Sequence, residues 1–200
     1  MKVISFSNVK GGVGKTTVTV CTALELTKRG YRVIVKDLDP WGSSYDWNLR
    51  ARKGETPLPF PVRPAIDKNI TEPEDEQNYD FLLVDTPQDI RNSMQEAIDR
   101  VSDIIVIVSK PGDLDMERTF SAVDSYSSPR AILLNFVNPR YKSTRKTIDQ
   151  IRSRGVAMFD TYIPQKETIH NASGLNEVPE DSNFVEFTSE LLDLDELKED

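Results

Sequence analysis

The sequence predicts a single doubly wound α/β domain built on a mostly parallel, twisted sheet. Three observations predict it. Short runs rich in valine and isoleucine alternate with stretches of helical periodicity along most of the chain. Strand, helix and strand follow one another within the first 40 residues, which makes a βαβ unit and requires parallel strands. A glycine-rich turn joins the first strand to the first helix, at the end of the sheet where open parallel sheets bind ligands.

Each element follows in order. Residues 2–7 form an apolar run that reads as a buried strand. Residues 16–29 carry Val18, Val20, Cys21, Leu24 and Leu26 and read as a helix, which Gly30 ends. Residues 31–38 form a second strand, and 44–52 a short helix. Pro57, Pro59, Pro61 and Pro64 then crowd one segment. Proline cannot donate to a central ladder, so this segment is an edge strand or a surface loop. The acidic, polar stretch 71–78 is expected to be a solvent-facing turn. Residues 81–84 form a strand that ends at Asp85, followed by a helix over 93–100 and a strand over 104–108. A helix over 114–126, a strand over 131–137, a basic helix over 141–154 and a final strand over 158–163 complete the alternation. An amphipathic helix with an acidic face covers about 184–198.

Composition narrows the function classes. The chain has 200 residues, 38% of them hydrophobic, which suits one folded domain over 1–200. The one cysteine, Cys21, excludes an internal disulfide framework and a cysteine-ligated cluster within one subunit, and fits a cytoplasmic protein. No stretch approaches the length of a membrane span, so no membrane partner is expected. The net charge of −8 argues against uniform coating of nucleic acid. The distribution is uneven, however. Arg140, Lys142, Arg145, Lys146, Arg152 and Arg154 stand against the single acid Asp149, a local charge of +5. Such a run is either a solvated helix face or an electrostatic contact for a polyanion.

The turn after the first strand reads Lys10-Gly11-Gly12-Val13-Gly14-Lys15-Thr16-Thr17. Successive backbone N–H groups there can form an anion nest, and the following helix N-terminus adds partial positive charge. Lys15 would reach the terminal phosphates of ATP, and the Thr16 hydroxyl would ligate Mg²⁺. The strict phosphate-loop pattern fails, because Val9 stands where its first glycine belongs. Asp37, Asp39 and Asp85 lie at the carboxyl ends of predicted parallel strands. A lone aspartate there is as readily a cap as a ligand; three together point to a site.

These residues resemble the deviant Walker A motif of the ParA/MinD family of ATPases. The segments 35–40 and 81–87 are similar to its switch I and to its Walker B with switch II. The resemblance covers essentially the whole chain and implies a P-loop NTPase that binds ATP with Mg²⁺. It implies that Lys10 is a signature lysine reaching across a dimer to the partner's nucleotide, so that Lys10, Lys15 and Asp39 serve catalysis. Asp39 would orient the attacking water, and Thr16, Asp37 and Asp85 would hold magnesium. Residues 11–17 would cradle the phosphates, with Asn135 and Pro164 near the adenine. Trp41 departs from the glutamine common after the Asp-Pro of switch I. His170 has no motif partner, and Cys21 reads as core filler.

Within the family, the acidic segment from 176 onward does not resemble a basic membrane-targeting helix. The last tyrosine is Tyr162, so no C-terminal tyrosine cluster of the related kinases is present. The P-loop begins at residue 10, so no separate N-terminal DNA-reading domain is expected. The resemblance then implies a small partition ATPase. It would dimerise with ATP, bind DNA without sequence preference through residues 140–154, associate with the nucleoid, and be stimulated by a centromere-binding ParB- or ParG-like partner. The alternatives are a relative that positions a protein cargo and a metabolic P-loop ligase.

Overall fold

The computed structural model describes residues 1–198. Six strands form one sheet, β1 (Lys2–Ser7), β2 (Val33–Asp37), β3 (Val62–Pro64), β4 (Phe81–Asp85), β5 (Ile104–Ser109) and β6 (Arg130–Leu134), in the spatial order β3-β2-β4-β1-β5-β6. Every pairing is parallel. The helices are α1 (Lys15–Lys28), α2 (Ser43–Lys53), α3 (Pro73–Asn78), α4 (Asn92–Val101), α5 (Asp113–Asp124), α6 (Lys142–Arg154), α7 (Glu167–His170) and α8 (Phe184–Leu192).

The two-residue period of a strand sends alternate side chains to opposite faces. Ile4, Phe6, Val35, Leu83, Val106 and Leu133 face a layer containing α1, α2 and α8. Val3, Ile34, Leu82, Ile105, Ile107 and Ile132 face the other layer, where Ile98 of α4, Met116 of α5 and Ile151 of α6 pack. Both faces are covered, which is why the strands read as continuous apolar runs. The proline-crowded segment supplies β3 at the sheet edge, where Val35 N–H donates to the Pro61 carbonyl at 3.0 Å.

Three expected elements differ. Residues 158–163 run beside β6 but make only one isolated bridge to it, Ile132 with Met158, and the next bridge, Val137 with Pro164, lies just past the ends of both segments. The ladder breaks between them because the N–H groups of Asp160 and Thr161 donate to the Glu190 carboxylate of α8, at 2.6 and 2.8 Å. The stretch 71–78 faces solvent along most of its length, but it is helical rather than a turn. It contains α3, and Asp75 there is buried against Lys36 of β2 at 2.9 Å. The acidic helix ends at Leu192, and Asp195–Leu197 is a separate 3-10 turn.

Candidate nucleotide site

Register assembles the site. Asp37 pairs with Asp85 across β2 and β4, and Asp85 pairs with Phe6 of β1. The turns after β1, β2 and β4 therefore open side by side at the carboxyl edge. Gly14, with φ of 90°, closes the P-loop and caps α1, whose free N–H groups face the loop. A Cβ at Gly14 would collide with Asn135 Nδ2 and come within 3.1 Å of Phe136, so glycine is required there twice over.

The loop is braced from behind. Buried Asn8 donates its amide to the Val108 carbonyl at 2.8 Å and accepts the Lys10 N–H at 3.0 Å. Asn135 donates to the Val13 carbonyl at 2.8 Å and accepts the Phe136 N–H at 2.8 Å. Its carboxamide is thus engaged beneath the loop. Pro164 bridges to Val137, at the same end of β6.

The two lysines occupy different places. Lys15 is buried, with Nζ donating to the carbonyls of Asn8 at 3.2 Å and Lys10 at 3.4 Å. Burial pulls its pKa below the ordinary lysine value, and the charges of Asp85 and Asp39 oppose that shift. Lys10 points away from this pocket to an ion pair with Asp115 in the first turn of α5, and its side chain is 28% exposed.

The acids divide their work. Asp37 accepts the N–H of Asp39 at 3.0 Å and of Tyr45 at 2.9 Å, so its carboxylate organises the switch I turn. Burial raises its pKa, with those N–H groups opposing. Asp39 is half-buried and accepts the Trp41 N–H at 3.0 Å. Asp85 is buried and accepts the Ser44 hydroxyl at 2.5 Å. Its pKa is pushed up to about 7, chiefly by burial and further by Asp37, while the Ser44 and Thr16 hydroxyls and Lys15 pull it back.

A family profile described as CbiA, the CobQ/CobB/MinD/ParA nucleotide binding domain, matches residues 4–180. The chain belongs to this family. Among similar proteins, a maintenance of carboxysome distribution protein A from Gloeobacter kilaueensis is 30% identical over 168 residues, covering 81% of this chain and 76% of the relative. The protein of the same name from Halothiobacillus neapolitanus is 28% identical over 182 residues, 84% and 82% of the two chains. The MinD cell division protein of Aquifex aeolicus superposes with a TM-score of 0.74 at 22% identity, over 96% of this chain and 97% of that one, which shows the shared fold.

The donor set of this CobQ/CobB/MinD/ParA domain fits a magnesium ion carried in with phosphates. Asp85 Oδ1 is buried without a hydrogen-bond partner among the described residues. A buried carboxylate oxygen in that state suits a cation or one of its waters. Thr16, the second residue of α1, neighbours that carboxylate, and its hydroxyl is a further ligand candidate. Magnesium would supply neutralisation of phosphate charge there.

Sequence reasoning missed Asn8, Ser44 and Asp115. Ser44 could have been found from its place two residues beyond Gly42, at the start of a helix following the switch I turn. Asp115 carries no local signal, since Lys10 lies 105 residues away; Asn8 accepts the nearby Lys10 N–H, but its bond to Val108 spans 100 residues. Trp41 is 85% exposed, His170 is exposed at the end of α7, and Cys21 is buried in α1. The six cations of 140–154 are all exposed, but two are already paired. Lys146 meets Asp113 at 2.6 Å and Arg154 meets Asp124 at 2.5 Å. Arg140, Lys142, Arg145 and Arg152 have no carboxylate partner among the described residues. Among the described residues, no helix is long and apolar enough to cross a membrane.

Proposed function

We propose that this chain is an ATP-driven positioning ATPase that works as a nucleotide-linked dimer and whose cargo is a protein assembly. The observation that carries the proposal is the separation of the two P-loop lysines. Lys15 is buried inside its own loop, whereas Lys10 stands at the rim, partly exposed and paired with Asp115. A rim cation is placed to stabilise charge on a second subunit's transferring phosphate. Asp39 would orient the water, Thr16 and Asp85 would hold magnesium beside Asp37, and Asn135 and Pro164 would border the base end of the site. The two relatives named for carboxysome distribution match more than four-fifths of the chain and support a protein cargo.

The test separates the lysines. Lys15→Ala should weaken ATP binding about 100-fold or more, because nothing replaces the cation beneath the phosphates. Lys10→Ala should bind ATP within about threefold of wild type, remain monomeric with ATP and lose turnover about 100-fold. Light scattering and single-turnover hydrolysis read both. An ATP-dependent dimer of undiminished activity in Lys10→Ala would remove Lys10 from the subunit link, and a wild type that stays monomeric with ATP would sink the dimer reading.

The unpaired cations of α6 favour a second reading, in which DNA is a partner as a track or as the cargo itself. Lys142, Arg145 and Arg152 recur at helical spacing on one exposed stripe. Reversing Arg145 and Arg152 should lower ATP-dependent binding to nonspecific duplex about tenfold or more and flatten its salt dependence. Arg154, already neutralised by Asp124, should matter less. Equal losses from the two changes would count against this assignment. Co-sedimentation with a protein assembly and with plasmid DNA, each in the presence of ATP, distinguishes the cargoes.

A further inference from the structure

We infer that Gln88 is a further catalytic residue of this site, holding the attacking water together with Asp39; the inference rests on the ATPase reading above. Gln88 follows Asp85-Thr86-Pro87 in the turn after β4, and the structure brings it over the P-loop. A Cβ on Gly11 would collide with Gln88 Oε1 and lie 3.1 Å from its Cδ. Gly11 does not have positive φ, and the group lying against its open face is the carboxamide end of this exposed side chain. The corner matters because Lys15 Nζ, the group that reaches the terminal phosphate, rests on the carbonyl of Lys10, one residue away.

Gln88 also shares a groove of about 500 Å³ with Asp39, walled by Pro40 and Trp41 of the β2 turn and by Pro87 and Arg91 of the β4 turn. Asp39 Oδ1 accepts the Trp41 N–H, which leaves Oδ2 to accept one proton of a water, and the second proton of that water points elsewhere and calls for a second acceptor. A carboxamide supplies what is missing. Its oxygen accepts the second water proton, and its NH₂ donates to a γ-phosphate oxygen. Buried Asp85 is set deeper, held by Ser44. In the step, the water oxygen bonds to the γ-phosphorus. The bond to the β–γ bridging oxygen breaks with its electron pair leaving on ADP, and the water protons end on the released phosphate and solvent.

The experiment compares wild type, Gln88→Ala, Asp39→Ala and the double variant, each with single-turnover hydrolysis, affinity for a nonhydrolysable ATP analogue, and the dimer fraction with that analogue. Gln88→Ala should lose about tenfold or more in kcat, with analogue affinity and dimer fraction within about twofold of wild type. The double variant should be no slower than Asp39→Ala, because two groups that hold one water fail together. A Gln88→Ala kcat within about threefold of wild type, a loss of affinity matching the loss of rate, or independent losses in the double variant would each overturn the inference. No turnover in wild type would overturn the ATPase reading and this inference with it. Active wild type with inactive Asp39→Ala and unaffected Gln88→Ala removes Gln88 alone.

Discussion

Asp85→Asn should make the nucleotide-free protein more stable at pH 8 while abolishing its magnesium-dependent turnover. The Asp85 carboxyl is fully buried, and its pKa of about 7 lies well above the ordinary aspartate value. The native state therefore holds this proton over a pH range in which the unfolded chain has released it. Between about pH 4 and 7 the folded form binds more protons, so this group's contribution to stability falls as pH rises through that window and levels off above it. The cost at pH 8 reaches about 4 kcal/mol, from roughly 1.4 kcal/mol per pKa unit. Asparagine keeps the shape and the acceptor for Ser44 and cannot ionise. Denaturant unfolding at pH 4 and pH 8 checks it. The variant should gain at pH 8 and match wild type within about 1 kcal/mol at pH 4. Equal stability at pH 8 would show that the carboxylate is solvated better than its burial implies. Turnover should fall about 100-fold or more, because the carboxylate proposed to hold magnesium would lose its charge.

Lys36→Met should destabilise the fold by about 3–5 kcal/mol, enough to lower Tm by roughly 10 °C. Lys36 is 1% exposed within β2 and is bonded to Glu72 at 2.7 Å and to Asp75 at 2.9 Å. Glu72 reaches solvent, but Asp75 is also 1% exposed, and its Oδ1 already lacks a hydrogen-bond partner among the described residues. Arg63 lies 3.8 Å away on the surface and cannot replace the buried ammonium. Removing the lysine strands a buried charge, and that, more than the loss of attraction, sets the size of the effect. Asp75 Oδ2 also accepts the Glu72 N–H at 3.1 Å and so caps α3. Lys36→Met with Asp75→Asn keeps that acceptor and removes the stranded charge, so the double variant should recover most of the loss. A single variant as stable as the double would show that the stranded Asp75 charge does not set the loss. Thermal unfolding of the three proteins decides it.

Most of the order of elements, apart from α3, α7 and the strand expected over 158–163, and the loop that would bind phosphate were legible in the sequence because they are local. Apolar runs with period two or near 3.6, a glycine turn between strand and helix, and Gly30 after α1 each act over a few residues. The same holds for the placement of Asp37, Asp39 and Asp85 at strand ends. Parallel pairing follows from the length of the connections, and the proline-crowded segment falls on the sheet edge because proline lacks the donor that a central position needs.

What the residues do to one another was decided by contacts between distant segments. Lys36 looks like any polar strand residue until α3 covers it. The stretch 158–163 has strand composition, yet Glu190 of α8 takes two of its N–H groups and the ladder breaks. Two of the six cations in the basic run are neutralised by acids of α5, which the local charge of the run does not register. At the site where the chain begins its first helix, the motif names Lys10 and Lys15 together. Only the packing of α5 against the loop places one at Asp115 and leaves the other buried. Local patterns set secondary structure because backbone geometry is local. Pairing and burial depend on which segments meet, and the tertiary fold alone determines that.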